Sequence, residues 1–323
     1  MICLQKNITK SLIFLFCTLF LISCQGIEKP YQTARTSGSE KDVYQQAIYK
    51  ASKWINNHPP TFEDEGALVI LEEIMAFYVL WKNTDNASQK KKYYNEVQKR
   101  INLIALKKDF NAQPKEHTLF LTVTMITEKL QIHTNFRKII EEQILTSPFL
   151  FTQHITNTIW VTVYLNRLGY HPLMELDSLM PQSNLYQELH HRLVYQYVCS
   201  PVNPIYKDTT TLTLYHMTHE IFSLTDLGEL PSPPIIENNK AFFSELFEKS
   251  IQWTMAINHI DLLGELIMCV KILDLRDVPS LQQGIEYILS SQEDNGTFGI
   301  TNPTLPNIYR HGILVSMMTL SMV

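Results

Sequence analysis

Residues 209–228 read TTTLTLYHMTHEIFSLTDLG, a stretch with the pattern of a long amphipathic helix. At about 100° per residue, its main aliphatic side chains fall within one narrow arc. These are Leu214, Met217, Ile221 and Leu224. Gly228 is placed to end the helix, because glycine tolerates the left-handed backbone that closes many helices. The opposite side of the helix carries Tyr215, His216, His219, Phe222 and Asp226.

That opposite side predicts a helix that lines a cavity. An ordinary surface helix carries charged and polar residues opposite its core face, whereas this one carries aromatic rings, two imidazoles and a carboxylate. His219 and Asp226 are two turns apart, about 10 Å along the axis. They cannot bond each other directly, but both can meet a ligand or a neighbouring helix. In the alternative interpretation, His216 and His219 cap other helices or fill packing gaps.

Further amphipathic helices make up the rest of the chain beyond the N-terminal segment. Strand-like alternation is nearly absent, and only 10 of 323 residues are glycine, which favours helices over tight turns. The periodicity predicts helices over 43–57, 65–82, 89–106, 118–130, 135–145, 152–168, 184–198, 209–227, 240–258, 260–273, 279–291 and 308–322. More polar and more apolar helices tend to alternate, as they would if an outer ring covered an inner one. We therefore expect an all-α protein, an α/α toroid or solenoid of about six helix pairs.

The proline-containing stretch 230–239 is interpreted as an outer loop of one domain over 41–323, with a domain boundary as the alternative. The net charge of −5 gives no electrostatic footprint for nucleic acid, so no nucleic-acid partner is expected.

The N-terminal segment has the organisation of an export signal. Two lysines without an acid precede a 13-residue apolar stretch at 11–23. This stretch is shorter than the roughly 20 residues of a spanning helix and has the length of a signal-peptide core. Its end, Leu21-Ile22-Ser23-Cys24, resembles the bacterial lipobox.

The lipobox resemblance implies a signal peptide over 1–23, cleaved before Cys24, whose thiol and new amine receive acyl chains. Several chains give stable membrane anchoring where one is marginal. Gln25 stands where an Asp resembles an inner-membrane retention signal, which favours the outer membrane, facing the periplasm or the surface. Residues 24–40 would comprise the lipidated cysteine and a flexible polar tether. An uncleaved anchor or ordinary signal cleavage are the alternatives.

Two other segments carry polar groups in apolar surroundings. Asp261 and Glu265 are four residues apart and share a helix face. Glu265 lies within a nearly continuous apolar run, so burial would require a hydrogen-bond partner or a raised pKa; Asp261 can instead be an N-cap. His154 and Asn157 also share a face, and a satisfied core pair is the simpler interpretation.

The turn near the C-terminus resembles known toroid motifs. Gln292-x-x-x-Gly296-x-Phe298 is similar to the QW motif of squalene-cyclase-type α/α toroids, with Phe in place of Trp. Residues 295–320 resemble the closing repeat of protein prenyltransferase β subunits, in which a Tyr-His pair starts the last inner helix. Here the corresponding segment is Tyr309-Arg310-His311, with an inserted Arg.

These toroid families do not lend the chain their chemistry. In the prenyltransferases the His binds zinc together with an Asp and a Cys at short spacing. No Asp-x-Cys, Asp-x-Asp-Asp or Asp-Asp-x-x-Asp occurs here, so neither the zinc site nor terpene chemistry is expected. No metal and no cofactor is therefore predicted.

A closer resemblance is to an uncharacterised bacterial domain family with the pattern Tyr-x-x-Thr-His-x-x-Phe-x-x-Thr-Asp-x-Gly, which stands here at 215–228. An Asp-Leu-Leu-Gly-Glu-Leu segment at 261–266, an Asn-Gly-Thr-Phe-Gly turn and a helix with His near its start follow. The resemblance implies a toroid-like fold and no particular activity. It adds to the expectation that the chain's catalytic candidates converge on one cavity, namely His219, Asp226, Glu265 and His311.

Three functions remain open from the sequence. The first is an acid–base enzyme acting on a small organic or glycan substrate, with Asp226 and Glu265 as the carboxylate pair that hydrolysis requires. The second is a ligand-binding or scaffold lipoprotein without catalysis. The third is a zinc enzyme in which Cys199 or Cys269 ligates the metal; whether these two cysteines pair is left open. The expected ligand pocket comprises Tyr215, His216, Phe222, Asp261, His154 and Asn157.

Overall fold

The computed structural model describes residues 40–60, 67–107, 110–151, 154–171, 174–200, 204–299 and 306–323. The predicted signal peptide, Cys24 and most of the predicted tether lie outside these residues. Within the described part, the protein is all-helical and contains no strand, as the sequence predicts. Among the described helices, none combines the length and apolar character needed to cross a bilayer.

Fifteen α-helices are present in the described residues. They are α1 (Glu40–Asn57), α2 (Leu68–Asn83), α3 (Ala87–Ala105), α4 (His117–Lys129), α5 (Phe136–Ile139), α6 (Ile155–Arg167), α7 (Leu176–Leu179), α8 (Asn184–His191), α9 (Leu193–Val198), α10 (Pro204–Thr225), α11 (Pro234–Glu237), α12 (Lys240–Ala256), α13 (Ile260–Ile272), α14 (Leu281–Ser290) and α15 (Pro306–Ser321). All twelve predicted helices have a counterpart. The helix predicted over 184–198 is two helices, because Arg192 adopts a left-handed backbone with φ 53°.

The helix predicted over 135–145 also differs from a single regular helix. Here α5 continues into a five-residue π-helical turn at Ile140–Ile144. Two further helices, α7 and α11, are only four residues long, which is too short for a hydrophobic period to reveal them. The stretch 230–239 contains α11.

Six helices form the most buried part of the protein and contact one another in a circuit. In order, α2 packs against α4, α4 against α6, α6 against α10, α10 against α13, α13 against α15, and α15 against α2. The remaining long helices pack against members of this set: α3 on α2, α1 on α15, and α12 and α14 on α13. Burial follows the predicted alternation, since α2 buries 11 of its 16 residues and α3 only 5 of 19.

A turn after α14 packs against α1 and is hydrogen-bonded to it. The Gln292 side-chain amide donates hydrogen bonds to the Ala47 carbonyl of α1, at 2.9 Å, and to the Gly296 carbonyl, at 3.3 Å. Gln292 also pairs with Phe298 in an isolated antiparallel bridge. Gly296 has φ +98°, and a Cβ there would lie 2.4 Å from the Lys50 carbonyl oxygen. This position therefore requires glycine.

A buried ionic triad joins α2, α3 and α15. Glu73 is fully buried, and each of its carboxylate oxygens accepts a hydrogen bond from a different guanidinium, one from Arg100 and one from Arg310. Arg100 also donates to Glu96 at 2.6 Å, and Arg310 donates to the His58 carbonyl just after α1. The triad thus holds the last helix against the first part of the domain.

Candidate functional site

Histidine and carboxylate side chains from four of these six helices lie close together. We call the group formed by Glu72, His219, Asp261, Glu265 and His311 the His–carboxylate cluster. Glu72 lies on α2, His219 on α10, Asp261 and Glu265 on α13, and His311 on α15. Except for His219, these residues lie in the first two turns of their helices, so three helices bring their N-terminal ends together.

Two imidazoles face one oxygen of a buried carboxylate. Glu265 Oε1 lies 3.4 Å from His219 Nε2 and 3.6 Å from His311 Nε2. His311 Nε2 also lies 3.5 Å from Asp261 Oδ1, and His311 Nδ1 lies 3.5 Å from Glu72 Oε1. The side chain of Glu265 is 3% exposed, whereas those of His311 and His219 are 24% and 33% exposed. The two imidazoles are thus the most exposed groups of the cluster, since the side chains of Glu72 and Asp261 are 17% and 18% exposed.

The outward oxygens of the α13 carboxylates are held by hydroxyl groups of α10. The Thr218 hydroxyl donates to Glu265 Oε2, and the Tyr215 hydroxyl donates to Asp261 Oδ2. Asp261 Oδ1, in contrast, is buried and accepts no hydrogen bond from any described residue. Each carboxylate is therefore held through one oxygen. Of the two oxygens that face His311, that of Asp261 lacks a hydrogen bond, whereas Glu265 Oε1 also contacts His219 Nε2.

The charges within the cluster stabilise one another. Burial alone would raise the pKa of Glu265, but the charges and hydrogen bonds of His219 and His311 outweigh it and lower the pKa to about 2. For His311, burial would lower the pKa, but attraction to Asp261 and Glu72 and the contact with Glu265 raise it well above its usual value. Glu265 is therefore ionised and His311 protonated at neutral pH when only the protein's own groups are present.

Aromatic rings and neutral imidazoles surround the exposed side of His219. The Trp160 ring meets the His219 ring edge-on at 5.5 Å, and Phe222 and Tyr215 lie 6.3 and 6.1 Å from it. Beside them, the rings of His154 and His216 stack at 3.8 Å. Burial and the neighbouring charges of His154 and His219 lower the pKa of His216 to about 3. The surroundings of His219 are thus aromatic and uncharged on one side and anionic on the other.

Asp226 does not join this cluster. It lies one residue beyond the end of α10 with φ 50°, so its side chain leaves the helical face on which the sequence places it. It accepts hydrogen bonds from Lys129, Arg167 and the Tyr164 hydroxyl, the last at 3.1 Å. Burial would raise the pKa of Asp226, but the hydrogen bonds and charges of Lys129 and Arg167 lower it below its usual value.

The surroundings of Asp226 form a second polar group at the C-terminal ends of three helices. Lys82 is the last but one residue of α2, and Lys129 and Arg167 are the last residues of α4 and α6. Lys129 also binds Glu229 at 2.7 Å, and Lys82 donates to the Leu227 carbonyl at 2.6 Å. Cations at helix C-termini are favourable because the macrodipole is negative there. Asp226 therefore has a structural explanation, and the contacts give no support to a catalytic pair of Asp226 with Glu265.

The other predicted pocket residues take different positions. His154 accepts a hydrogen bond from the Thr156 amide at 3.3 Å and so caps α6, whereas the simpler interpretation of the sequence was a satisfied core pair with Asn157. Asn157 is half-buried on α6 and has no hydrogen bond to the cluster among the described residues. Cys199 is exposed and Cys269 is buried, and both are free thiols. Cys269 points to the Thr218 carbonyl at 4.0 Å, and burial raises the pKa of its thiol well above the usual value.

Three residues of the site, Glu72, Thr218 and Trp160, were not predicted from the sequence. Glu72 and its neighbour Glu73 interrupt the apolar run of α2 just as Glu265 interrupts that of α13, so the same signal was present. Thr218 and Trp160 carry no comparable signal, because their importance depends on which helix lies next to theirs.

One set within the cluster has the spacing of a cation site. Asp261, Glu265 and His311 each offer one ligand atom, and these three atoms all lie within 4.8 Å of one another. In the part of the chain that the structure describes, no cysteine belongs to such a group. Thiolate coordination of zinc by Cys199 or Cys269 is therefore not supported.

Fold and site together define an all-helical protein with a mixed histidine and carboxylate cluster on buried helices. The chain belongs to the family described as a domain of unknown function (DUF6895), which matches residues 54–301. This range includes four members of the cluster and excludes His311. No similar sequence was found among curated proteins.

Proposed function

We propose that the six most buried helices form an α/α toroid with the His–carboxylate cluster at one mouth. Two observations support this arrangement. The helix contacts run in a circuit from α2 through α15 and back to α2. In addition, the N-terminal turns of α2, α13 and α15 meet at the cluster, while the C-terminal ends of α2, α4 and α6 meet around Asp226. Parallel inner helices account for both meetings.

We further propose that the toroid is an enzyme that uses the cluster for acid–base chemistry on a small organic or glycan substrate. The observation that carries this proposal is the placement of His219 Nε2 and His311 Nε2 on the same buried Glu265 oxygen. A buried carboxylate beside an imidazole orients the ring and stabilises its protonated form. His219, one-third exposed, is then the group that exchanges a proton with the substrate.

The test is turnover of simple probes by the full chain purified in detergent. The probes are p-nitrophenyl glycosides and esters, followed by released nitrophenolate, and uronate polysaccharides, followed by ultraviolet absorbance of unsaturated products. A general acid or base contributes roughly 10²–10⁴-fold to the rate, so His219→Ala should lower kcat/KM by that factor. The matched control is His191→Ala on the exposed surface of α8, which should leave kcat/KM unchanged. Absence of turnover with every probe, or equal rates for both variants, would contradict the proposal.

A ligand-binding role without catalysis is the second candidate, and the rings around His219 favour it. Trp160, Phe222 and Tyr215 surround this imidazole on one side, and aromatic faces suit apolar or sugar ligands. Under this alternative, a probe glycoside raises the Tm of the protein and is recovered unchanged. Trp160→Ala would abolish that shift, whereas His219→Ala would preserve most of it.

We also propose that the mature chain is anchored in the cell envelope by lipid on Cys24, as the lipobox resemblance implies. Bacteria that express the chain and receive an alkyne-labelled palmitate should label the wild type in the membrane fraction. Cys24→Ser should lose the label and leave that fraction. Equal labelling of both proteins would overturn the anchoring proposal without touching the acid–base proposal.

A further inference from the structure

We infer that Asp261, Glu265 and His311 bind one divalent transition-metal ion, with Zn²⁺ as the ion whose chemistry fits best. The inference deepens the acid–base proposal and rests on it for the role of the ion, but not for the existence of the site. The sequence predicted no metal, because the thiolate motif of the resembling zinc enzymes is missing. The site inferred here contains no thiolate.

The three facing atoms all lie within 4.8 Å of one another, and both distances from the imidazole suit ligands around a common centre. His311 Nε2 lies 3.5 Å from Asp261 Oδ1 and 3.6 Å from Glu265 Oε1. These separations exceed the roughly 2.7 to 3.2 Å of typical hydrogen bonds, so the groups attract one another without close contact. Ligands bound at about 2.0–2.2 Å in a tetrahedral zinc site lie roughly 3.3–3.6 Å apart. The observed spacing thus leaves room for an ion between the groups.

The inner oxygen of Asp261 provides an independent observation. Asp261 Oδ1 is buried and accepts no hydrogen bond from any described residue. A buried oxygen without a donor is unfavourable because it has lost its hydrogen bonds to water, and a metal ion bound at this oxygen would compensate that loss. Because the same oxygen is one of the three facing atoms, the unsatisfied group and the geometric centre coincide.

The outer atoms of the three ligands are held as in known metal sites. Metal-binding histidines commonly donate their second ring N–H to a carboxylate, and ligating carboxylates are themselves hydrogen-bonded. Here His311 Nδ1 faces Glu72 Oε1 at 3.5 Å. Tyr215 donates to the outer oxygen of Asp261, and Thr218 to that of Glu265. Every ligand therefore has a support on its far side, and its near side is directed to the common centre.

Three protein ligands leave a fourth position open, which is the arrangement of catalytic zinc sites. His219 is not among these three ligands, but its Nε2 lies 3.4 Å from the ligand atom Glu265 Oε1. A zinc ion lowers the pKa of its bound water to about 7 and so supplies a nucleophile at neutral pH. With such an ion bound, His219 would be the group placed to take a proton from the nucleophilic water and return it to the leaving group, so a hydrolysable ester or glycoside is the expected substrate class.

The experiment is Zn²⁺ titration of the full chain, purified in detergent through a tag without histidine and stripped with EDTA. Calorimetry should reveal one ion per chain. Asp261→Asn combined with His311→Gln should remove this binding, and Glu72→Gln should weaken it by about 10–100-fold, as loss of an outer-shell partner does. The control His191→Gln on α8 should bind like the wild type, and circular dichroism should confirm that every variant is folded. Co²⁺ in place of Zn²⁺ should add visible absorption bands of the intensity typical of tetrahedral sites.

Binding that is absent in the wild type, or equal in the wild type and the double variant, would overturn the inference. The two proposals fail separately. If the EDTA-stripped chain still turns over a probe and depends on His219, the acid–base proposal stands and the metal inference falls. If one ion binds through the three ligands and no probe is turned over, the metal site stands and the acid–base proposal falls.

Discussion

Replacement of Glu73 by glutamine should be among the most destabilising single changes in this protein. Glu73 is fully buried, and the side chains of its partners Arg100 and Arg310 are only 5% and 4% exposed. Glu73→Gln keeps the shape of the side chain but leaves the buried Arg310 guanidinium without its carboxylate and Arg100 with Glu96 alone. Breaking a buried ion pair in this way costs about 3–5 kcal/mol.

The loss in free energy of unfolding can be measured by urea unfolding, and the change in Tm by thermal unfolding, both followed by circular dichroism. The expected Tm decrease is about 10 °C, since about 1 kcal/mol shifts Tm by roughly 2–4 °C in a domain of this size class. The matched control is Glu96→Gln, because Glu96 binds Arg100 from the same helix and is 18% exposed. Such a pair, four residues apart on one helix, contributes only about 0.5 kcal/mol.

A triple variant separates loss of charge balance from loss of packing. Glu73→Leu with Arg100→Met and Arg310→Met removes all three charges while preserving most of the volume. Well-packed apolar replacement of a buried ionic triad is often neutral or stabilising by about 1–4 kcal/mol. A Glu73→Gln variant as stable as the wild type, or a triple variant less stable than Glu73→Gln, would refute the reasoning.

Asp226→Asn should lower the free energy of unfolding at pH 7 by about 2–3 kcal/mol. Since the folded pKa of Asp226 is lowered, its contribution is present above the unfolded value of about 3.9 and is lost as pH falls through the folded value; a difference from wild type that stays constant from pH 7 to 3 would contradict this. Gly296→Ala should cost about 3 kcal/mol or more in urea unfolding, because its Cβ would collide with the Lys50 carbonyl in a left-handed backbone; a wild-type midpoint would disprove that contact. In native protein a maleimide should label Cys199 and spare Cys269 until urea is added, because only Cys199 is exposed; peptide mass spectrometry that finds Cys269 labelled first would be incompatible with its burial.

The helices of this protein could be predicted from the sequence because hydrophobic period is a local signal. Residues 209–228 placed the aliphatic side chains on one face of α10, and Leu214, Met217 and Ile221 are indeed buried. The end of α10 was predicted less well. The helix stops at Thr225 because Asp226, Leu227 and Gly228 all take positive φ.

The composition of the site could be predicted only in part, for a tertiary reason. Glu265 was found because a carboxylate in an apolar run needs a partner, and His219 and His311 are those partners. Asp226 was placed with them by helical angle, but the backbone turns just before it and delivers it to Lys129 and Arg167. The sequence of a single helix does not tell which other helices lie next to it. Glu72 was therefore missed, although it has a local signal similar to that of Glu265.

Arg310 illustrates what a resemblance can hide. In the prenyltransferase repeat that the C-terminus resembles, the Tyr and the His form a pair, so Arg310 looks like an insertion between Tyr309 and His311. In the structure Arg310 is the residue that binds Glu73 and the His58 carbonyl. The departure from the pattern is therefore explained by structure rather than by catalysis.

The neighbouring positions of Arg310 and His311 bear on how the protein is made. A nascent chain that has emerged only through α14 already contains Glu72, His219, Asp261 and Glu265. It lacks His311, and its Glu73 and Arg100 lack the second guanidinium. The arrival of α15 supplies both at once, in adjacent residues. The cluster and the buried triad thus both depend on α15, and a chain without this helix would lack one member of each.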